Sequence, residues 1–206
     1  TELGCIGVLV NGFTNTGDDS GTYLDEPQVL PFWQAISELD VPVYLHPRMP
    51  LVSQRKAYAG YPGLVGSAWG FGHETATHAL RLMLSGLFDR FPKVNVMLGH
   101  LGEGLALSLP RAEHRLRHQM PGSHGTHLRT PMEYLCDNFY VTTSGTFRTQ
   151  GLLHTISEIG VDRVLFAVDY PYESMSEITQ WFDECAISPN DKRAIASGNA
   201  RRLFGF

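Results

Sequence analysis

Residues 94–104 read VNVMLGHLGEG, and their reading decides the fold. An apolar, β-branched run climbs to Gly99 and stops at His100, and Glu103 follows between Gly102 and Gly104. A strand-length run without polar alternation marks a parallel sheet buried on both faces. The C-terminal end of such a strand is where α/β folds bind ligands. An imidazole at that end, with a carboxylate three residues on, is either part of a site rim or the start of a polar turn.

The same pattern recurs in both directions along the chain. GCIGVLV (4–10) precedes the helical stretch PQVLPFWQAISELD (27–40). VPVYLH (41–46) is followed, beyond a long loop, by HETATHALRLMLSGLFDRF (73–91). VNVMLGH leads into a helix near 103–118, NFYVTTS (138–144) into QGLLHTISEIG (150–160), and VLFAVD (164–169) into SEITQWFDECA (176–186). In 73–91, Leu80, Met83, Leu84, Leu87, Phe88 and Phe91 fall at i, i+3, i+4, i+7, i+8 and i+11, one face of a 3.6-residue period. A last helix spans 189–204, with Ser188 as its cap, Pro189 at the first position and Asp191 completing a capping box. Strands and helices in strict alternation give an α/β fold with right-handed crossovers.

Five β-α units fill the chain, which leaves two architectures. An open, doubly wound sheet is one. The other is a (β/α)₈ barrel, which needs about 250 residues and eight units, so that three units would be missing on the N-terminal side. Loops 11–25, 47–72 and 119–133 are long and polar, and loops of that length in a compact domain are usually functional or disordered.

Bulk properties narrow the function classes. With 43% hydrophobic and 18% charged residues, the 206-residue chain reads as a soluble globular protein. Its formal net charge of −5 argues against a nucleic-acid partner, which favours a basic face. No apolar stretch approaches the roughly 20 residues of a membrane span, and TELGCIGVLV shows no signal peptide. Cys5, Cys136 and Cys185 are widely spaced, as reduced and mostly buried thiols of a cytoplasmic protein would be.

The strand ends carry the chemistry. The first ends at Asn11, the second at His46, the third at His100, the fourth at Thr143 and Ser144, the fifth at Asp169. His46 suits a divalent-metal ligand, with a carboxylate such as Asp169 as its partner; a strand-capping histidine is the plainer alternative. Asp169 follows an apolar run, where a carboxylate is costly unless paired or metal-bound. His100 and Glu103 suit an orienting pair for acid–base work; otherwise Glu103 sits in the first turn of the next helix, favoured by the helix dipole. Arg111 could clamp a carboxylate, although Pro110 before it should disrupt a helix. Arg48 could form a loop salt bridge. The remaining histidines, His73, His78, His114, His118, His124, His127 and His154, read as surface or packing residues. No GxSxG elbow or Cys-His motif supports acyl-enzyme chemistry.

Several stretches together carry a resemblance: ELGCIGVLVNGF, LDVPVYLHPR, ETATHALRLMLSGLFDRFPKVNVMLGHLGEG, TTSGTFRTQ, VLFAVDYPYE and the final NARRLF. The chain resembles the metal-dependent, non-oxidative aromatic acid decarboxylases of the amidohydrolase superfamily, above all the branch acting on γ-resorcylate. The resemblance implies a (β/α)₈ barrel of which residues 1–206 are the C-terminal portion, holding strands four to eight. It implies that His46 and Asp169 ligate Zn²⁺ or Mn²⁺, with no organic cofactor. It makes His100 the catalytic histidine held by Glu103, and Asp169 also the proton donor. Asn11 would contact a substrate hydroxyl. Arg111 would approach the substrate carboxylate, in the family's oligomers from a neighbouring subunit. The family's first strand supplies a further pair of metal ligands that this chain does not contain.

The implied activity is reversible decarboxylation of an ortho-hydroxybenzoate, such as 2,6-dihydroxybenzoate to resorcinol, with CO₂ or bicarbonate as the other partner and a homo-oligomer as the working form. Two alternatives stand beside it. One is a related metal-dependent hydrolase acting on an amide or lactone. The other is a partial domain without activity of its own.

Overall fold

The computed structural model describes residues 2–119, 125 and 127–206. Its centre is a parallel sheet of five strands: β1 (Val8–Val10), β4 (Val43–Leu45), β5 (Val96–Leu98), β6 (Phe139–Thr142) and β7 (Val164–Leu165). β2 (Thr14–Gly17) and β3 (Ser20–Thr22) form a separate antiparallel hairpin within the loop after β1. The spatial order β1-β4-β5-β6-β7 follows the chain. A doubly wound sheet reverses direction at a switch point. This sheet never does, so the arrangement is that of a barrel wall and the open doubly wound alternative falls away.

The register assigns each side chain to a face. Val8, Val43, Val96 and Phe139 lie side by side, as do Val10, Leu45, Leu98, Val141 and Val164. These rows pack against Trp33, Ile36, Leu82, Met83, Phe88, Leu109, Leu135 and Leu152 of the surrounding helices to make the core. Fully burying such a side chain is worth about 1.5–3 kcal/mol, so this outer face holds the fold together. The opposite face carries Leu9, Tyr44, Met97 and Tyr140 in one row, with Thr142 beside Leu165. Here the sequence reading is corrected. The helix-facing side is buried from β4 to β7 and half-buried at Val8 and Val10, whereas on the opposite side Leu9 is 62% exposed and Tyr44 and Tyr140 are half-buried.

Four further expectations change. The helix expected over 73–91 runs Gly70–Leu84 and restarts at Leu87–Arg90, because Gly86 adopts φ 77° between them. Pro110 lies inside the helix Leu105–Gln119 without ending it. Proline removes one hydrogen-bond donor, and its exposed position puts the gap toward water. The thiols are not mostly buried: Cys185 is buried, Cys136 half-buried and Cys5 exposed. Loop 47–72 contains two short 3₁₀ turns, Val52–Tyr58 and Pro62–Leu64. The loop 119–133 and His124 fall wholly or partly outside the described residues. Ser188 caps the start of the last helical stretch, its Oγ accepting from the Asp191 amide at 3.1 Å, but Asp191 does not return a bond to complete the box, and the stretch runs as Pro189–Arg193, a π-helical Ala194–Gly198 and Asn199–Phe204. Among the described residues no helix is long and apolar enough to cross a membrane.

Candidate active site

The chain beyond β5 does not enter a right-handed helix directly. His100, Leu101, Gly102, Glu103 and Gly104 all have positive φ, between 51° and 77°. They make one turn of left-handed coil, and the right-handed helix starts only at Leu105. Glycine adopts this conformation freely, whereas His100, Leu101 and Glu103 each carry a cost of order 1–3 kcal/mol. The turn places residues i and i+3 on one side, so that His100 Nδ1 and Glu103 Oε1 stand 2.7 Å apart. Glu103 is therefore not a first-turn residue of the following helix, and its carboxylate faces the imidazole instead.

The other ring nitrogen completes a line of three groups. His100 Nε2 lies 3.7 Å from Asp169 Oδ2, an ion-pair separation. Asp169 also has a left-handed backbone, φ 74°. Its segment is tied to β6 through Thr143, whose Oγ1 donates to the Ala167 carbonyl at 2.8 Å and accepts from the Ala167 amide at 3.0 Å. Gly145 closes the far side of the ring. A Cβ there would fall 2.5 Å from His100 Cδ2 and 3.4 Å from Asp169 Oδ2, so only glycine lets the backbone come this close. Burial pulls the His100 imidazole toward the neutral form, but Glu103 and then Asp169 outweigh it and hold the pKa above its ordinary value.

His46 stands at the end of β4, exposed on the same strand-end rim. Its Nδ1 lies 2.8 Å from the Pro47 carbonyl and 3.4 Å from Asn11 Oδ1. A carbonyl only accepts, so Nδ1 carries the proton and Nε2 keeps its lone pair for another ligand. Asn11 is thereby brought next to His46, as the strand ends suggested. Among the described residues Arg48 forms no salt bridge. It donates to the backbone carbonyls of Phe13 and Asn11 and, at 2.7 Å, to Asn15 Oδ1, with its guanidinium 3.8 Å over the Phe13 ring. Arg111 is exposed on the helix Leu105–Gln119 and shares no hydrogen bond or ion pair with His46, His100, Glu103 or Asp169.

The chemistry of the donors fits a divalent ion, but their number does not. His46 and Asp169 are side chains of suitable donor type at the ends of these strands. Among the described residues, no group of three or more His, Cys, Asp or Glu side chains is placed to hold a metal ion. Three or four protein ligands are the usual requirement.

Two features of the site escaped the sequence reading. The buried hydroxyls of Thr142 and Ser144 bond each other at 2.8 Å beneath His100. A second polar cluster lies behind the loop after β1. There His78, fully buried on the helix Gly70–Leu84, accepts from the Leu24 amide at 3.0 Å, and Tyr23 and Glu74 are buried beside it. Burial raises the Glu74 carboxyl and drives Tyr23 up to about 12, with Glu74 reinforcing the Tyr23 shift. A strand-end polar run such as TTS signals the first cluster; nothing local in HETATHAL signals the second.

Comparison with known proteins adds the relationships. The amidohydrolase family model matches residues 1–206. The chain is 48% identical over 205 residues to the γ-resorcylate decarboxylase of Rhizobium sp. strain MTP-10005, covering 98% of this chain and 62% of that protein. It thus spans about three fifths of the length of the curated relatives it matches. A crystal structure of 2,6-dihydroxybenzoate decarboxylase complexed with 2,6-dihydroxybenzoate superposes with a TM-score of 0.95 at 47% identity, over 100% of this chain and 64% of that one. The dihydroxybenzoic acid decarboxylase of Polaromonas sp. JS666, with bound manganese and 2-nitroresorcinol, does so with a TM-score of 0.93 at 46% identity, over 99% of this chain and 62% of that one.

Proposed function

Because the chain belongs to the amidohydrolase family, we propose that it is the C-terminal portion of a single barrel domain that decarboxylates an ortho-hydroxybenzoate, 2,6-dihydroxybenzoate being the first substrate to try. The observation that carries this reading is the line Glu103–His100–Asp169 at the C-terminal ends of parallel strands, 2.7 Å on one side of the imidazole and 3.7 Å on the other.

The roles follow from that line. Glu103 fixes the His100 tautomer and favours the protonated ring, so a proton is held at Nε2, on the side of Asp169. Asp169 takes up that proton and delivers it to the ring carbon bearing the carboxylate. That carbon becomes tetrahedral and the ring loses its aromaticity. The bond to the carboxylate then breaks, its electron pair returns to the ring, and CO₂ departs. One proton is consumed for each CO₂ released, and the reverse carboxylation follows the same path. Asn11, beside His46, is the candidate to hold a substrate hydroxyl. Arg111, exposed and apart from its own His100, is the candidate to meet the carboxylate of a substrate bound to a neighbouring copy in a homo-oligomer.

A divalent ion, Zn²⁺ or Mn²⁺, would supply a Lewis acid at the same rim. His46 and Asp169 are this chain's fitting donors, and two are too few to complete a shell. The manganese in the Polaromonas relative supports the choice of metal to try first.

The test is direct. The complete chain that carries these residues, loaded with Mn²⁺ and given 2,6-dihydroxybenzoate, should release resorcinol, followed chromatographically. Metal-loaded protein that forms no resorcinol overturns the reading.

A further inference from the structure

His100, at the end of β5, sits in a conformation that its own side chain disfavours, φ 51°. Such conformations persist only where surrounding groups over-determine them. The groups that touch this backbone come from the two neighbouring strands. The His100 amide donates to Ser144 Oγ at 3.3 Å, just beyond the end of β6. Ser144 Oγ lies 2.8 Å from Thr142 Oγ1, and the Tyr44 hydroxyl from β4 lies against the same pair. Gly99 lets the cluster close against the chain, since a Cβ there would fall 3.0 Å from the Tyr44 hydroxyl and 3.2 Å from Ser144 Oγ. Thr142 is 3% and Ser144 5% exposed, so water does not compete for these bonds.

We propose that Ser144, supported by Tyr44 and Thr142, is the positioning residue of this site, fixing the left-handed His100 backbone so that its imidazole stays aligned between Glu103 and Asp169. The cluster touches neither substrate nor the reacting atoms and acts through the His100 backbone. Hydroxyls from β4 and β6, gathered at the His100 backbone at the end of β5, make the ring's aim depend on strand pairing, where a loop-borne histidine would depend on the loop alone. This role rests on the reading of His100 as the acid–base group.

The test uses the downfield proton resonance of the His100 Nδ1–H···Glu103 hydrogen bond, identified as the one that Glu103→Gln removes. It is read without substrate or metal, so it decides the positioning role even if the protein turns over no hydroxybenzoate. Ser144→Ala should shift or broaden that resonance and lower kcat about tenfold to a hundredfold with KM nearly unchanged, as misplacing a catalytic group does. Ser144→Thr, which keeps the hydroxyl, should restore both. Tyr44→Phe, which removes one hydroxyl and leaves the His100 amide bonded, should give a smaller shift and serves if Ser144→Ala fails to fold. An unmoved resonance in Tyr44→Phe and in folded Ser144→Ala, with only a lowered Tm, would mean mere structural support and would overturn the proposal.

Discussion

Two histidines of this molecule are both withdrawn from water and behave in opposite ways. His78 is fully buried, and its ring accepts a backbone amide from Leu24. Burial drives its pKa down to about 4. His100 is half-buried, and its ring faces Glu103 and Asp169. Burial also pulls it down, yet the two carboxylates lift it above its ordinary value. A carboxylate alone does not explain the difference, because Asp25 lies near His78 and acts upward on it. Arg81 takes Asp25 in a bidentate pair, at 2.8 and 3.0 Å, and itself acts downward on His78. An imidazole keeps its proton only where the carboxylate facing it is not already neutralised by a cation.

The comparison can be broken in order of effect. Glu103→Gln should make His100 resemble His78. Burial then acts with less opposition, the pKa falls, and turnover of 2,6-dihydroxybenzoate drops about a hundredfold or more, the usual worth of an acid–base group; an NMR titration and a steady-state assay check the two halves. His78→Ala leaves the Leu24 amide without its acceptor in the core and opens a cavity, so stability should fall by about 2–4 kcal/mol, read from the urea midpoint. The pH dependence follows from the same residue. The unfolded chain protonates His78 near its ordinary value of about 6.5, whereas the folded chain resists until about pH 4. The stability from the neutral ring is therefore present above the unfolded pKa and lost as pH falls through that window, at up to about 1.4 kcal/mol per pH unit. His78→Gln, which offers an amide oxygen to Leu24 instead, should flatten this slope. The smallest change is Arg81→Met, which frees Asp25 and should move the His78 pKa upward in an NMR titration.

Much of the rim was legible in the sequence. Each apolar run ends at its C-terminal side on Asn11, His46, His100, Thr143 or Asp169, and the parallel sheet sets these ends in one row. What was not legible depends on partners distant in sequence. The break at Gly86 interrupts a helical pattern that itself runs on unbroken. Leu101 and Glu103 have no intrinsic reason to turn left-handed; the turn depends on Gly102 and Gly104 and on Ser144, which lies 44 residues from the His100 amide it holds. His78 looked like one packing histidine among several because its amide partner, Leu24, is 54 residues away. The cover expected on both faces of the sheet failed at Leu9, whose alternation-free strand reads as buried while its inner row is open.

The left-handed turn at 100–104 also bears on how this site can change over time. A right-handed helical start tolerates the gain or loss of a residue by sliding its cap, since almost any side chain fits it. Residues 100–104 have no such slack: one residue more or fewer would part His100 from Glu103, and a side chain at Gly102 would press on Val141 at 2.9 Å. The loops beside the rim, 11–25 and 47–72, have side chains that are mostly exposed and can accept change more freely. Changes there leave the spacing of His100 and Glu103 untouched.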